Sequence, residues 1–333
     1  MYTNFFKATF ALLTISFLLF ACQKNKNETS VPRQLAQGLG VSFGSTTGPG
    51  GDLFVPDAQA GVIYRIDPKT GVRSAFASGL PKLIPEVGIG GVTDVIFIGG
   101  TAYALVTLVD DPTFPTGQVN GIYRIDGPNS FKVIADIGAF NIAHPPTGFE
   151  FDVATGVLYS IDFYRGGFLV TDGHLNRVLH ITPDGEIKLV QQFDDIVPTG
   201  LAVKGNMVYV AQAGPAPHHP EDGKVVLLND KFSSITEVAS GAPLLVDVEF
   251  GRGQLLFALS QGVFGGGPNG SPALPNTGSL VLVNADRTFT MVADKLDIPT
   301  SLEIIGNSAY VVTLEGEVWA IDNIADSPFA RPI

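Results

Sequence analysis

Val197-Pro198-Thr199-Gly200-Leu201-Ala202-Val203, followed closely by Met207-Val208-Tyr209-Val210, decides the fold. A small turn-like start leads into alternating apolar residues, and a second run carrying an aromatic follows. Alternation at period two is the signature of a half-buried strand. The same start recurs at Val92-Thr93-Asp94-Val95-Ile96-Phe97, Pro146-Thr147-Gly148-Phe149-Glu150-Phe151, Val246-Asp247-Val248-Glu249-Phe250 and Pro299-Thr300-Ser301-Leu302-Glu303-Ile304. A degenerate sixth copy is Gly40-Val41-Ser42-Phe43. The spacing is roughly 50 residues, the period of a four-stranded propeller blade.

Working outward, each copy is followed by a second strand with an aromatic, as in Leu53-Phe54-Val55, Leu158-Tyr159-Ser160 and Ala309-Tyr310-Val311. A third strand ends near a turn acid or amide, as in Ile63-Tyr64-Arg65-Ile66-Asp67 and Val318-Trp319-Ala320-Ile321-Asp322. Asp and Asn suit such turns because they bond local backbone and tolerate a left-handed conformation. A fourth strand completes every copy but the last, which has none after Asp322. Arg33-Gln34-Leu35-Ala36-Gln37-Gly38-Leu39 reads like Ser74 to Leu80 and is expected to supply it. The reading is an all-β, six-bladed propeller with four-stranded blades, closed by an N-terminal strand that leaves no free edge.

Composition agrees with one large all-β domain. The chain has 333 residues, only 16% of them charged, with 39 Gly and 23 Pro. Acids outnumber Lys and Arg by 32 to 20, which argues against nucleic acid as a partner. A single Cys excludes a disulfide scaffold.

The N-terminus reads as an address. Lys7 precedes an apolar stretch, Ala8 to Ala21, that ends in Leu19-Phe20-Ala21-Cys22. That tetrad resembles a bacterial lipobox, in which the Cys is lipidated and becomes the mature N-terminus. The expected organisation is a lipoprotein signal peptide over 1–21, a lipidated tether over 22–30, the propeller over 31–326 and a tail over 327–333. Loss of 1–21 removes Lys7 alone and leaves 19 basic against 32 acidic residues, a formal −13. So acidic a globule is not drawn to anionic lipid by charge, and the membrane partner is reached through acyl chains on Cys22. Gln23 after the Cys resembles lipoproteins sent to an outer membrane or the cell surface.

With the repeats in place, the chain resembles the ScyD/ScyE family of six-bladed, NHL-like propellers over roughly Val31 to Asp322. The resemblance rests on Gln34-Leu35-Ala36-Gln37-Gly38-Leu39, Gly121-Ile122-Tyr123-Arg124-Ile125-Asp126, Val133-Ile134-Ala135-Asp136 and the stretch quoted at the outset. It implies the architecture. The family has no agreed catalytic set to carry over, and its association with scytonemin pigment biosynthesis does not imply that role here.

Function on a propeller usually lives on loops at one mouth of the ring. The long connections fall between second and third strands, at 110–120, 163–176, 214–223 and 262–277, so a ligand is expected on that face. Polar residues there that could touch it include Tyr164, His174, Gln212, His218, His219 and Gln261. Carboxylates at Asp94, Glu150, Asp162, Asp247 and Glu249 form the candidate ligand or metal set, with Glu303 in the same column as Glu150 and Glu249. Such oxygens could hold a divalent cation such as Ca²⁺, or could simply cap turns. His218-His219 with Glu221 and Asp222 lies in a Pro-marked loop, where metal binding competes with plain solvation. H-E-x-x-H does not occur. Three readings stand: a lipid-anchored module binding a small molecule or protein partner, a metal-dependent hydrolase or lactonase-type enzyme, and a purely structural envelope protein.

Overall fold

The computed structural model describes residues 30–215, 218–268 and 270–326. The lipobox Cys22, the signal segment, most of the tether and the tail therefore lie outside the described residues. Twenty-four strands form six four-stranded antiparallel sheets. The first strand among the described residues is β1 (Arg33–Ala36). Blade 1 follows as β2 (Thr46–Thr47), β3 (Leu53–Asp57), β4 (Val62–Ile66) and β5 (Arg73–Ser78). Blade 2 is β6 (Gly91–Ile98), β7 (Thr101–Thr107), β8 (Gly121–Gly127) and β9 (Ser130–Asp136). Blade 3 is β10 (Leu158–Tyr164), β11 (Gly167–Asp172), β12 (Arg177–Ile181) and β13 (Ile187–Gln192). Blade 4 is β14 (Pro198–Lys204), β15 (Met207–Gln212), β16 (Lys224–Leu228) and β17 (Ile235–Ser240). Blade 5 is β18 (Leu245–Phe250), β19 (Leu256–Ser260), β20 (Gly278–Val283) and β21 (Phe289–Leu296). Blade 6 is β22 (Pro299–Ile305), β23 (Ser308–Thr313) and β24 (Val318–Asp322).

β1 pairs antiparallel with β24, with Arg33 opposite Ala320 and Ala36 opposite Val318, so the first ordered strand is the outer strand of the last blade. Leu35 and Ala36 pack on a cluster that contains Leu53 and Val55 of blade 1 and Val312 and Ala320 of blade 6. The closure is thus apolar as well as hydrogen-bonded. The core consists of such clusters between neighbouring blades, for example Phe54, Ile63 and Ala77 against Val95, Ala104 and Tyr123. The aromatic column of the second strands is part of it, with Phe54, Phe257 and Tyr310 all buried.

Two expected strands shift. The first inner strand is the short β2 rather than Gly40–Phe43. A Cβ on Gly44 would collide with the Asp94 carboxyl, so the chain passes close to blade 2 before it can pair. In blade 3 the inner strand is β10, not Pro146–Phe151. Leu158-Tyr159-Ser160, expected as a second strand, begins the inner one, and the second strand is β11, which lies inside the stretch read as a long loop. Gly148, at φ +101°, takes the chain out of strand geometry in the Pro-Thr-Gly segment. The connection from blade 2 to blade 3 is instead an insertion carrying a helix, α1 (Ile137–Ala143), capped by Asp136.

Candidate functional site

The inner strands face the central channel, and successive inward positions form rings. One ring holds Ser45, Asp94, Ser160, Gly200, Asp247 and Ser301 from blades 1 to 6. Two residues further along each strand lie Thr47, Ile96, Asp162, Glu249 and Glu303. Together they line a cavity of about 510 Å³. Among the described residues, five carboxyls line it and no Lys, Arg or His does.

Three of the acids share one device. Asp94 accepts the Val95 N–H at 2.8 Å on one oxygen and the Ile161 N–H of blade 3 at 3.0 Å on the other. Asp162 does the same with Phe163 at 2.6 Å and Val203 of blade 4 at 2.9 Å. Asp247 repeats it with Val248 at 2.8 Å and Leu302 of blade 6 at 2.7 Å. Innermost strands have no sheet partner on the channel side, so their N–H groups need acceptors. Each Asp supplies one and ties its blade to the next. Gly200 is required beside this arrangement, because a Cβ there would overlap the Asp247 side chain.

Glu249 and Glu303 lie on adjacent blades at one level. Glu303 accepts the Thr47 hydroxyl at 2.7 Å, which links blades 6 and 1. The electrostatics follow from crowding negative groups away from bulk water. Burial, reinforced by Asp247 and Glu303, holds the Asp94 carboxyl well above the usual carboxylate range. Burial pushes Asp162 up to about 6 and Asp247 up to about 7. It pushes Glu303 up to about 8 despite the Thr47 hydrogen bond. Glu249 is also driven well up, by burial and then by the charges of Glu303, Asp162 and Asp247. Each of Glu249 and Glu303 thus disfavours ionisation of the other.

Tyr159, from blade 3, reaches across the ring to within 3.5 Å of the Thr300 carbonyl of blade 6. It narrows the channel at the end where the inner strands begin. Its hydroxyl is held above the ordinary range by burial and by the charges of Asp247 and Asp94. At the other end the lining reaches Phe97, Phe163 and Ile305–Gly306, where the inner strands turn into the second strands. Phe163 is exposed there.

The expected site residues divide. Asp94, Asp162, Asp247 and Glu249 meet in the channel. Glu150 does not: it is exposed in the blade 2–3 insertion, because Pro146–Phe151 is not an inner strand. The loop candidates are spent on backbone. Gln212 ends β15, buried and paired with Pro198 and Lys224. Gln261 accepts the Ala273 N–H at 3.0 Å. The Tyr164 hydroxyl lies 3.4 Å from the Asp230 carbonyl, at the opposite end of the blade from the loops between second and third strands. His174 accepts the N–H groups of Asp152 and Val153, both at 3.0 Å. His218 bonds the Ala213 carbonyl and stacks edge-on with Phe264, while His219 begins a short 3-10 turn at Pro220 with no side-chain cap. No described residue of the loops between second and third strands lines the cavity, so it sits away from the face where a ligand was expected. Among the described residues, no three His, Cys, Asp or Glu are grouped so as to hold a metal ion. Sequence reasoning missed Tyr159 and Thr47; Glu303 was visible only as a member of its column.

No family model matches the chain, and no curated protein matches it. Solved structures do. A gluconolactonase from Xanthomonas campestris is 11% identical, with a TM-score of 0.60, over 88% of this chain and 90% of that one. The PQQ-bound aldose sugar dehydrogenase of Streptomyces coelicolor is 14% identical, with a TM-score of 0.53, over 87% of this chain and 96% of that one. Virginiamycin B lyase from Staphylococcus aureus is 13% identical, with a TM-score of 0.51, over 88% of this chain and 98% of that one. At such identities the likeness shows the fold alone: this chain is a six-bladed β-propeller.

Proposed function

We propose that the chain is a lipid-anchored envelope propeller, akin to the ScyD/ScyE type, that binds a small positively charged molecule in its central channel. The observation that carries this is a cavity of about 510 Å³ lined by five carboxyls and no basic residue. Such a site repels anions, and each carboxyl is costly to ionise until a cation arrives. Hydroxyls of Ser45, Thr47, Ser160 and Ser301 add hydrogen-bond partners, and the exposed Phe163 stands at the mouth. An aromatic ring at the entrance suits an organic ammonium or guanidinium group. Anchoring through Cys22 remains part of the proposal; among the described residues no helix is long and apolar enough to cross a membrane.

Binding of a cation must expel protons from Glu249 and Glu303, so affinity should rise with pH. Calorimetric titration of agmatine into the protein, in buffers of different ionisation enthalpy, tests this. Saturable binding with proton release supports the proposal; no binding of agmatine or spermidine at about pH 8 overturns it.

A second reading is a hydrolase. It is favoured by the Glu249 and Glu303 pair, in which a retained proton near neutral pH could serve a general acid. The metal-dependent form fits less well, since the described residues do not group three metal-ligating side chains. Turnover of a lactone panel that is lost in Glu249→Gln would favour it over binding alone.

A further inference from the structure

The insertion between blades 2 and 3 forms a strap, 145–153, whose two ends are fixed differently from its middle. At one end Arg177, buried in β12, donates to the His144 carbonyl at 2.8 Å and to Asn141 Oδ1 at 2.6 Å. At the other end Thr155 donates its N–H and hydroxyl to Asp111, both at 3.1 Å. Asn141 Nδ2 joins the ends, donating to the Thr155 carbonyl at 2.8 Å and to Asp172 at 2.7 Å. These anchoring groups are buried.

The middle is different. Most of 145–150 is exposed, and Gly148 stands at φ +101° with nothing within 4 Å of where a Cβ would be. Among the described residues, the strap's backbone is tied to the rest of the chain by the Gly156 N–H on the Val153 carbonyl and by one imidazole. His174 Nε2 receives the N–H of Asp152 at 3.0 Å and that of Val153 at 3.0 Å. Two donors on one ring nitrogen require its lone pair, so the ring's proton must sit on Nδ1. A second proton, on Nε2, would face two N–H groups and leave all three donors without an acceptor.

We infer that His174 is a proton-operated latch, which holds the 145–153 strap down when neutral and releases it when protonated. The charged and titratable neighbours are consistent with a local switch. Asp172 accepts the His174 backbone N–H at 3.2 Å, Arg177 lies behind Asp172 on β12, and His144 ends α1. Asp152 comes with the strap itself, and the next connection packs Val197 and Pro198 on Gly173, with Asp194 and Asp195 preceding them. Asp172 is already committed, accepting the N–H groups of Val157 and Leu175 at 3.0 Å each, so it does not replace the lost acceptor for the strap. Because only the released strap accommodates the second proton, release grows as pH falls.

Amide hydrogen exchange on the full chain tests the latch, with exchange times scaled for intrinsic rate. Protection of the Asp152 and Val153 amides should fall about tenfold or more between about pH 8 and about pH 5, while β11 and β12 stay protected. His174→Gln keeps an acceptor that does not titrate, and should hold the strap at both pH values. Equal protection of the wild-type strap at both pH values overturns the inference, as does a His174→Gln protein that opens with acid like the wild type. If that variant does not fold, the NMR titration of the wild-type His174 ring serves instead. Its midpoint must coincide with that of strap release, and a separate midpoint refutes the latch.

Discussion

Glu303→Gln should make the protein more stable at alkaline pH and leave it unchanged in acid. The Glu303 carboxyl moves from an ordinary 4.5 to about 8 in the folded protein, chiefly through burial. A folded value above the unfolded one means that the native state holds its proton more tightly. The associated stability is therefore complete below about pH 4.5 and is lost as pH rises through about 8. At about 1.4 kcal/mol per pH unit the ceiling is ~5 kcal/mol. Glu303 keeps some contact with channel solvent and shares its titration with Glu249, so ~1–2 kcal/mol is the expected part. Gln cannot ionise, yet its carbonyl oxygen still accepts the Thr47 hydroxyl. For a domain of this size the gain corresponds to a rise in Tm of ~2–5 °C at about pH 8, with no difference at about pH 4. Calorimetric melts of both proteins across that range decide it. A variant that is equally destabilised at both ends, or a wild type whose stability does not fall between pH 5 and 8, would refute the electrostatic reading of the channel.

Other outcomes follow from the same geometry. Asp94→Asn should cost ~1–3 kcal/mol despite its unchanged shape, because an amide N–H would face the N–H of Val95 or Ile161; denaturant titration measures it. Deleting 31–37 removes the strand paired with β24 and the packing of Leu35 and Ala36, and should lower stability by ~2–4 kcal/mol; a melt identical to wild type would contradict the closure. Cys22→Ser should release the protein from membranes on fractionation, and continued retention would remove the lipid anchor from the account.

The architecture was legible because its cause is local and repeated. Alternating apolar residues, an aromatic in each second strand and turn acids at fixed offsets identify the blade whichever copy is read. The N-terminal closing strand was readable for the same reason: Arg33 to Leu39 carries the pattern the last copy lacks. Blade 3 was misread where motif and geometry part. Pro146-Thr147-Gly148 imitates the inner-strand start, but it lies in an insertion held by Arg177, Asn141 and Asp172, contacts that join residues far apart in sequence. The site was half legible. Asp94, Asp247 and Glu249 follow from their inward positions in the repeat. Asp162 came into the set as the end of a second strand, although it lies on an inner one. Tyr159 and Thr47 carry no motif, and their importance comes from what faces them across the ring. The polar loop candidates were misleading because loop side chains are consumed by local backbone, as Gln261 on the Ala273 N–H and His218 on the Ala213 carbonyl show.

Titration calorimetry with agmatine on the wild type and on Glu249→Gln/Glu303→Gln, with CaCl₂ as a parallel titrant, measures cation uptake by the acidic channel directly. The account predicts saturable agmatine binding that releases protons, strengthens from about pH 6 to about pH 8 and weakens about tenfold or more in the double variant. Absence of agmatine binding, or binding that the double variant and pH leave unchanged, would contradict it; tight Ca²⁺ binding alone would replace the organic cation with a metal.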